Sequence, residues 1–247
     1  MIKFFNKIRK STLEQNKLGK YLKYAIGEII LVMIGILLAL QVNTWNNNRE
    51  LKKEELKVMK SLHQEFSQNL ERFDTVYNVQ LKRKKAIEYV MSGELQNLPT
   101  DSLVTLLETI NMSWTFDPFQ GIYNSVIGSG KIELISNESL KTKLATIQDL
   151  IKDYQEEEHQ TREFSKQLLY PFELKTPLKS YNFNENDIVE SAKVKDNYLK
   201  AFSSFEFDGL MRNLRGWMQS IFEEGPTLRE ELVSIINLLE EEVEKHN

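Results

Sequence analysis

The stretch AIGEIILVMIGILLALQV, residues 25–42, decides the architecture of this chain. Its eighteen residues contain one charged side chain, Glu28, and one Gln. As a helix they would extend roughly 27 Å, close to the ~30 Å hydrocarbon core of a bilayer. Tyr24 stands before the stretch and Trp45 after it, as aromatic side chains do at membrane interfaces. The sequence therefore predicts a transmembrane helix over residues 25–45.

Two other structures could account for an apolar stretch of this length. A buried core helix normally carries a polar stripe, and residues 25–42 carry none. A cleaved signal peptide has an apolar region of ~7–15 residues followed by small residues at the cleavage site. Ala39 and Gln41 match such a site poorly. We therefore interpret the stretch as an uncleaved signal anchor.

Charge is distributed unevenly around the predicted span. Residues 1–24 contain seven Lys and Arg against one Glu, whereas the chain after residue 45 contains 25 basic and 34 acidic groups. Because positively charged flanks stay in the cytoplasm, residues 1–24 are predicted to form a basic cytoplasmic or interfacial segment. The prediction is a single-pass protein of the inner, cytoplasmic membrane whose C-terminal domain is periplasmic.

Composition predicts a helical protein and excludes several kinds of site. The 247 residues include only 10 Gly and 5 Pro, which disfavours a turn-rich β architecture. There is no Cys, so the sequence has no disulfide, thiol nucleophile or Cys-ligated zinc. The acidic balance beyond residue 45 argues against nucleic acid as a partner, because nucleic-acid binding needs a basic face.

The part after the span is predicted to be a helical stalk followed by a helical bundle. Residues 46–58, NNNRELKKEELKV, form a helix readily but are polar on all sides. Nothing between Trp45 and Gly93 breaks a helix, so the first helix is expected to continue beyond the membrane. The predicted class is all-α, with a transmembrane helix and then an antiparallel extracytoplasmic bundle over residues 59–247. The apolar residues that recur at steps of three and four, and so share one helical face, are Met59, Leu62, Phe66, Leu70, Phe73, Tyr77 and Leu81.

Turn and capping signals predict two shorter helices next. One is expected from Asp101 to Trp114. The other is expected to begin at Asp117-Pro118, where an N-cap residue precedes a Pro, and to end near Gly128.

The remaining helices are predicted from an N-cap and three proline signals. Asn137 is expected to cap a long helix whose second half, QEEEHQTRE, is a solvated polar face. We expect Pro171 and Pro177 to end that helix, and residues 176–190 to form a loop. In the last segment, Gly225-Pro226 is expected to break the chain before a final helix.

Two motifs resemble catalytic or cofactor sites and fail on their spacing. Glu156-x-x-His159 has the spacing used in di-iron bundles, but neither other His follows a Glu by three residues, so no second motif completes the site. Gly128-Ser-Gly-Lys131 lacks the earlier Gly of a phosphate-binding loop and has Ile132 where Ser or Thr is required. The sequence predicts no catalytic residue, cofactor or metal ligand, and we interpret the protein as a non-enzyme.

Glu28 is the residue with the strongest claim to a function within the span. An acid inside a membrane is costly, and it either reaches the interface, where it can pair with Lys23, or faces a partner helix. Gly35-x-x-x-Ala39 offers a flat surface on which helices can approach closely. The predicted membrane-helix interface is formed by Glu28, Leu31, Gly35, Leu38, Ala39 and Val42.

Three stretches resemble the recurring segments of a single-pass membrane family from Bacteroidota. The span opens with Tyr24-Ala-Ile-Gly-Glu-Ile and closes with Gly35-Ile-Leu-Leu-Ala-Leu-Gln-Val-Asn-Thr-Trp-Asn. A third stretch, Ser129-Gly-Lys-Ile-Glu-Leu-Ile-Ser-Asn-Glu-Ser-Leu, is similar to a later motif of that family. The resemblance implies a Gram-negative inner membrane and a helical C-terminal region, and it implies no activity.

Three functional hypotheses fit these observations. The leading one is a membrane-anchored interaction or assembly module that presents a periplasmic bundle to a homo-oligomeric copy or to another membrane or periplasmic protein. The second is a sensor-like domain that binds a small ligand and acts through a separate transducer, because residues 1–24 are too short for an output domain. The third is an accessory subunit of a proton-driven membrane complex that uses Glu28.

Overall fold

The computed structural model describes residues 18–176, 178 and 188–245, and every regular element in that part of the chain is helical. The prediction of an all-α protein is therefore confirmed. Most of the predicted basic segment and of the predicted loop at residues 176–190 lies outside the described residues. The α-helices are α1 (Leu18–Met91), α2 (Thr100–Asn111), α3 (Gly121–Gly128), α4 (Glu138–Phe164), α5 (Tyr170–Lys175), α6 (Ile188–Phe202), α7 (Phe205–Trp217) and α8 (Gln219–Lys245).

Helix α1 continues without a break over 74 residues, as expected from the absence of helix-breaking residues. The chain divides into two compact units, Met1–Glu55 and Leu56–Asn247. In the first unit, the most apolar window of α1 has a mean hydropathy of 2.4, and none of it is buried. A core helix would be buried, so that alternative does not describe the apolar window of α1. The helix is long and apolar enough to cross a membrane.

The second unit contains two hydrophobic cores. The first core joins α1 to α3, α4 and α8, and it contains the predicted stripe from Met59 to Tyr77, with Leu70 and Tyr77 at its edge. Leu81, the last residue of the predicted stripe, is half-buried and belongs to neither core. The second core joins the end of α1 to α2, α6 and α7. Fully buried members of the first core are Met59, Leu62, Phe73, Phe116, Leu140, Ile147, Tyr154, Ile221, Leu232, Ile235 and Leu239. Fully buried members of the second are Ile87, Leu103, Ile110, Leu169, Phe207, Met211 and Leu214.

A layer of buried polar side chains lies between the two cores along the chain. On α1 the first core ends at Val76 and the second begins at Ala86. Buried polar residues occupy this interval of α1, and others occupy the matching interval of α4 and the turn after it. They are Gln80, Arg83, Glu158, Thr161 and Ser165.

Helices α4 and α8 pack against each other and are joined by polar contacts near their ends. The predicted N-cap is confirmed, because the Asn137 side chain accepts a hydrogen bond from the backbone N–H of Leu140. Its amide also donates to Glu242 at 2.9 Å. Further along both helices, the Lys143 Nζ lies 2.7 Å from a carboxyl oxygen of Glu231.

Helix α3 begins at Gly121, three residues later than the predicted first helical residue, Pro118. The free N–H groups at its start are satisfied from outside the segment, because the carboxylate of Glu65 accepts from Ile122 at 2.7 Å and from Tyr123 at 2.8 Å. Asp117 is therefore not the N-cap. A distant acid on α1 replaces the local capping residue that the sequence offers.

Pro171 does not end the long helix, contrary to the prediction. After α4 the chain makes a π-helical turn over Ser165–Leu169 and continues as α5, with Pro171 in its first turn. In the π turn the Tyr170 N–H donates to the Ser165 carbonyl, five residues back. The wider turn makes room for a proline ring that an unbroken α-helix would exclude.

The predicted break at Gly225-Pro226 is also absent, since α8 runs through both residues. The actual break comes earlier, between α7 and α8 near Met218. Gly225 serves for close packing instead: a Cβ there would lie 2.4 Å from Tyr77 Cε2 and 3.3 Å from Tyr154 Cε2. Buried residues on both sides of the proline, Ile221 and Leu228, hold α8 in helical register although one hydrogen bond is lost.

Candidate functional site

The segment from Met112 to Gln120 joins α2 to α3 without regular structure, yet buried side chains hold it in place. We call it the 112–120 loop. Phe116, at its centre, is fully buried in the first core and packs edge-on against Phe73 with ring centroids 5.3 Å apart. Burial of an irregular segment requires partners for its backbone N–H and C=O groups, and two helices provide them.

Helix α1 supplies the first set of partners. The Asn69 side chain pairs with both backbone groups of Phe119, donating to its carbonyl at 2.8 Å and accepting from its N–H at 2.7 Å. Gln80 donates to the carbonyl of Trp114. Together with Glu65 at the start of α3, these residues fix the loop from one side.

Arg83 extends this row of contacts to the end of α2. It is fully buried, and it donates to the Ile110 carbonyl at 2.7 Å and to the Ser165 hydroxyl at 2.6 Å. Burial lowers the pKa of Arg83 to about 10. The positive charge lies at the carbonyl end of α2, where the helix dipole favours a cation, and it ties that helix to the π turn.

Helix α4 supplies the second set of partners. Gln155 donates to the Phe116 carbonyl at 2.8 Å, and Glu158 accepts from the Phe116 N–H at 2.6 Å. Glu158 is 1% exposed, and burial raises its pKa to about 8, with a smaller contribution from the nearby charge of Asp117. Hydrogen bonding at its carboxyl oxygens acts in the opposite direction.

The outer side of the 112–120 loop is apolar and exposed. Trp114 is 53% exposed, Phe119 is 50% exposed, and Met112 is also exposed. The guanidinium group of Arg72 lies over the Phe119 ring, 5.1 Å from its centroid. The loop therefore presents large side chains from a backbone that the core holds rigidly.

Two open clefts flank the loop. The cleft between α1 and the loop has a volume of about 690 Å³ and is lined in part by Arg72, Trp114 and Phe119. The cleft between the loop and α4 has a volume of about 510 Å³ and is lined in part by Glu158 and Lys152. Three residues line both clefts: Thr115, Asp117 and Arg162.

The predicted interface in the span lies on α1, within the first unit. Glu28 takes part in a hydrogen-bonding or electrostatic interaction within the chain. At Gly35, an added Cβ would meet no atom within 4 Å. The remaining predicted positions, Leu31, Leu38, Ala39 and Val42, are all exposed. The interface between membrane helices stays a prediction.

The prediction that QEEEHQTRE is a solvated face is wrong for part of its length. Glu156 and His159 are exposed, but Glu158 and Thr161 are buried. Four further residues that hold the loop were not predicted from the sequence: Glu65, Asn69, Gln80 and Arg83. The sequence does contain a pattern that could have identified them. They recur on α1 at helical spacing beside the apolar stripe, where a solvated polar residue would not be expected.

Neither the curated proteins nor the solved structures gave a match to the chain. A family model did match, over residues 28–194, which begins at Glu28 and includes the 112–120 loop and Glu158. Its description is a family of unknown function, DUF6090. Since the matched residues make up more than half of the chain, the protein belongs to the DUF6090 family.

Proposed function

We propose that this protein is a non-enzymatic interaction module, anchored in the inner membrane by a single pass of α1, whose 112–120 loop binds a partner protein. The observation that carries the proposal is the combination of a rigidly held backbone and exposed aromatic side chains in that loop. A loop whose backbone is already fixed loses less conformational freedom on binding than a flexible one, which favours affinity. Trp and Arg are also the residues most enriched at the energetic centres of protein interfaces.

The topology forms part of the proposal. The basic excess before the span supports a cytoplasmic N-terminus, a signal anchor and a periplasmic second unit. The resemblance to a Bacteroidota family agrees with an inner membrane. An antiparallel arrangement of the bundle is supported by the contacts of α4 and α8, since Asn137 meets Glu242 and Lys143 meets Glu231.

The chemistry of the loop defines the partner surface that would fit it. Trp114 and Phe119 require an apolar pocket. Arg162, which lines both clefts, requires a carboxylate on the partner at the edge of that pocket. The partner is therefore a membrane or periplasmic protein with an apolar recess beside an acidic side chain. Binding to a second copy of this chain is the alternative, and the crosslinking experiment below distinguishes the two.

Site-specific photocrosslinking in native membranes tests this proposal. A benzoylphenylalanine replacing Trp114 should give one discrete adduct, identified by mass spectrometry, and Phe119→Ala should abolish it. The same probe replacing Trp217 is the matched control, because Trp217 is 47% exposed and lies outside the loop. Identical adducts from both positions, or no adduct from position 114, would contradict the proposal. An adduct between two copies of this chain would show that the loop binds a second copy and not a different protein.

The small-ligand hypothesis is favoured by one separate observation. Glu158 is a buried acid among the residues that line the cleft between the loop and α4, and acids with strongly shifted pKa values in clefts are candidates for binding sites. The proton-driven role of Glu28 remains a third hypothesis, tested through Glu28→Gln.

A further inference from the structure

Arg83 makes hydrogen bonds in two directions from the polar layer between the two cores. Its Nε donates to the Ile110 carbonyl at 2.7 Å, and its Nη2 donates to the Ser165 hydroxyl at 2.6 Å. Ile110 lies in the last turn of α2, two residues before the 112–120 loop, whereas Ser165 begins the π turn that follows α4. One planar guanidinium group therefore bridges the start of the loop and the π turn.

This buried charge is energetically unfavourable in a bundle that requires only stability. Arg83 is fully buried, and its Nη1 has no hydrogen-bond partner. In the part of the chain that the structure describes, the only charged or titratable neighbour that acts on it is Tyr170, which is not a carboxylate. An apolar side chain of similar volume often replaces a buried charge without loss of stability. Stability alone therefore does not account for an arginine at this position.

Gln80 holds the same stretch of chain from the preceding turn of α1. It is buried, and its amide donates to the Trp114 carbonyl. Gln80 and Arg83 are three residues apart, so they lie on one face of the helix. The chain from Ile110 to Trp114 is thus held at both ends by α1, and the second of these ends is an exposed aromatic residue of the loop.

The other end of the Arg83 bridge is an irregular helical turn. The Ser165 hydroxyl accepts from Arg83 and donates to the Thr161 carbonyl at 3.1 Å, and among the described residues it bonds no group of the loop. π turns are rare, and they occur frequently at functional sites. A displacement of Ser165 would move the guanidinium group that also holds the start of the loop.

We propose that Arg83 is a positioning residue that couples the 112–120 loop to the π turn, so that the conformation of the turn determines how firmly the loop holds its exposed aromatic side chains. The inference rests on the proposed function, because it concerns the same partner-binding loop and identifies a buried contact that regulates it.

Hydrogen exchange of the full chain in lipid nanodiscs, followed by mass spectrometry, tests this coupling without any partner. The amides of Phe116 and Phe119 report on the loop, because they donate to Glu158 and Asn69. Ser165→Ala removes only the π-turn end of the bridge, yet we expect it to make these amides exchange about threefold to tenfold faster. Peptides from α8 are the internal reference, and they should exchange as in the parent protein.

Two variants of Arg83 separate its forked shape from its charge. Arg83→Met removes both hydrogen bonds and should accelerate exchange in the loop by about tenfold or more. Arg83→Lys keeps the charge, but an ammonium group lacks the planar fork that reaches two acceptors, so this variant should resemble Arg83→Met. Lys82→Met is the matched control, because Lys82 is the exposed neighbour of Arg83 on α1, and the loop of this variant should exchange as in the parent. If Arg83→Met fails to fold, Ser165→Ala and Arg83→Lys decide the question.

The double variant Arg83→Met with Ser165→Ala tests whether the two side chains act through one path. Its loop should exchange at the rate of Arg83→Met alone, since the bridge is already broken. The inference is overturned if Ser165→Ala leaves exchange in the loop unchanged, if Arg83→Lys protects the loop as well as the parent does, or if the two effects multiply in the double variant. Equal acceleration in α8 and in the loop would also overturn it, because that result indicates a general loss of stability.

Photocrosslinking distinguishes a failure of this inference from a failure of the proposed function. With the benzoylphenylalanine probe at position 114, Ser165→Ala should give about threefold less partner adduct than the parent. A parent protein that gives no adduct contradicts the proposed function, whereas the exchange rates still decide the coupling. An undiminished adduct in Ser165→Ala would overturn the coupling and leave the proposed function intact.

Discussion

At the scale of single residues, the second unit uses polar side chains where an ordinary core would use apolar ones. Asn69, Gln155 and Glu158 each bond a backbone group of the 112–120 loop. Such contacts are geometrically demanding, so they fix one conformation of the loop more strictly than apolar packing would. Their cost is the desolvation of groups that water would otherwise bond.

Glu158 gives this cost a measurable pH dependence. Its folded pKa of about 8 lies above the ordinary value of 4.5, so its contribution to stability is fully present below about pH 4.5 and is lost as pH rises through about 8. In the parent protein, we expect the free energy of unfolding to decrease by on the order of 3–5 kcal/mol between those pH limits. Glu158→Gln has no ionisable group at this position, so its free energy of unfolding should not show this decrease. Guanidinium unfolding of the full chain in detergent, followed by far-UV circular dichroism across this pH range, measures it.

The control for this prediction is Glu163→Gln, which should keep the pH profile of the parent. A Glu158→Gln profile that falls as steeply as that of the parent would mean that another group causes the loss of stability.

Residues with local partners could be predicted from the sequence, and residues with distant partners could not. Asn137 caps a helix three residues away, and that pairing is visible in the sequence. Glu158 bonds Phe116, 42 residues away, and within QEEEHQTRE it looks like any other solvated acid. Only the fold brings those two residues together.

At the scale of helices, tertiary packing overrides two local helix-breaking signals. Pro171 is accommodated by a π turn, and Gly225-Pro226 lies inside α8. A prediction from sequence includes the intrinsic cost of Gly and Pro in a helix. It does not include the tyrosine rings whose packing requires a residue without a side chain at position 225, because those rings come from distant parts of the chain. The long apolar helix α1 was predictable because no such conflict arises along it.

Two glycines in helices should respond to alanine in opposite directions. Gly225→Ala places a Cβ 2.4 Å from Tyr77 Cε2, so the ring must move and stability should fall by ~1–3 kcal/mol. Gly209→Ala in α7 meets no atom within 4 Å and should raise stability by ~0.5–1 kcal/mol, because alanine favours helix. Thermal unfolding of the two variants measures both effects. A stabilised Gly225→Ala protein would contradict the packing role of Gly225.

The membrane part of α1 carries its own prediction about helix association. Lipid is as apolar as Leu, so helices associate there through close packing and polar contacts. Gly35→Ile should separate the helices and abolish crosslinked oligomers of the full chain in membranes. Leu37→Ile is the control, since it lies roughly 200° around the helix from Gly35. Glu28→Gln keeps the hydrogen-bonding capacity, so assembly should survive in it. Equal crosslinking in Gly35→Ile and in the parent would show that the predicted interface is not one.

At the scale of the whole molecule, one long helix contributes to both compact units. The apolar part of α1 is exposed, whereas the part beyond Leu56 forms one wall of the bundle and carries the side chains that hold the 112–120 loop. The helical class followed from composition and from the spacing of apolar residues, and the span followed from an unbroken apolar stretch. The division of the bundle into two cores with a polar layer between them did not, because it depends on which helices become neighbours.

The absence of cysteine makes the topology directly measurable, since one introduced thiol is the only one in the chain. Phe205 is 93% exposed at the start of α7, so Phe205→Cys should be accessible without disturbing either core. Ser11→Cys marks the basic N-terminal segment. The measurement is labelling in intact cells with a small, charged maleimide that cannot cross the inner membrane.

If the protein is anchored in the membrane with a periplasmic bundle, Phe205→Cys should be labelled in intact cells. Ser11→Cys should be labelled only after the inner membrane is permeabilised. Three results in intact cells would contradict this topology: labelling of Ser11→Cys alone, labelling of both variants, or labelling of neither.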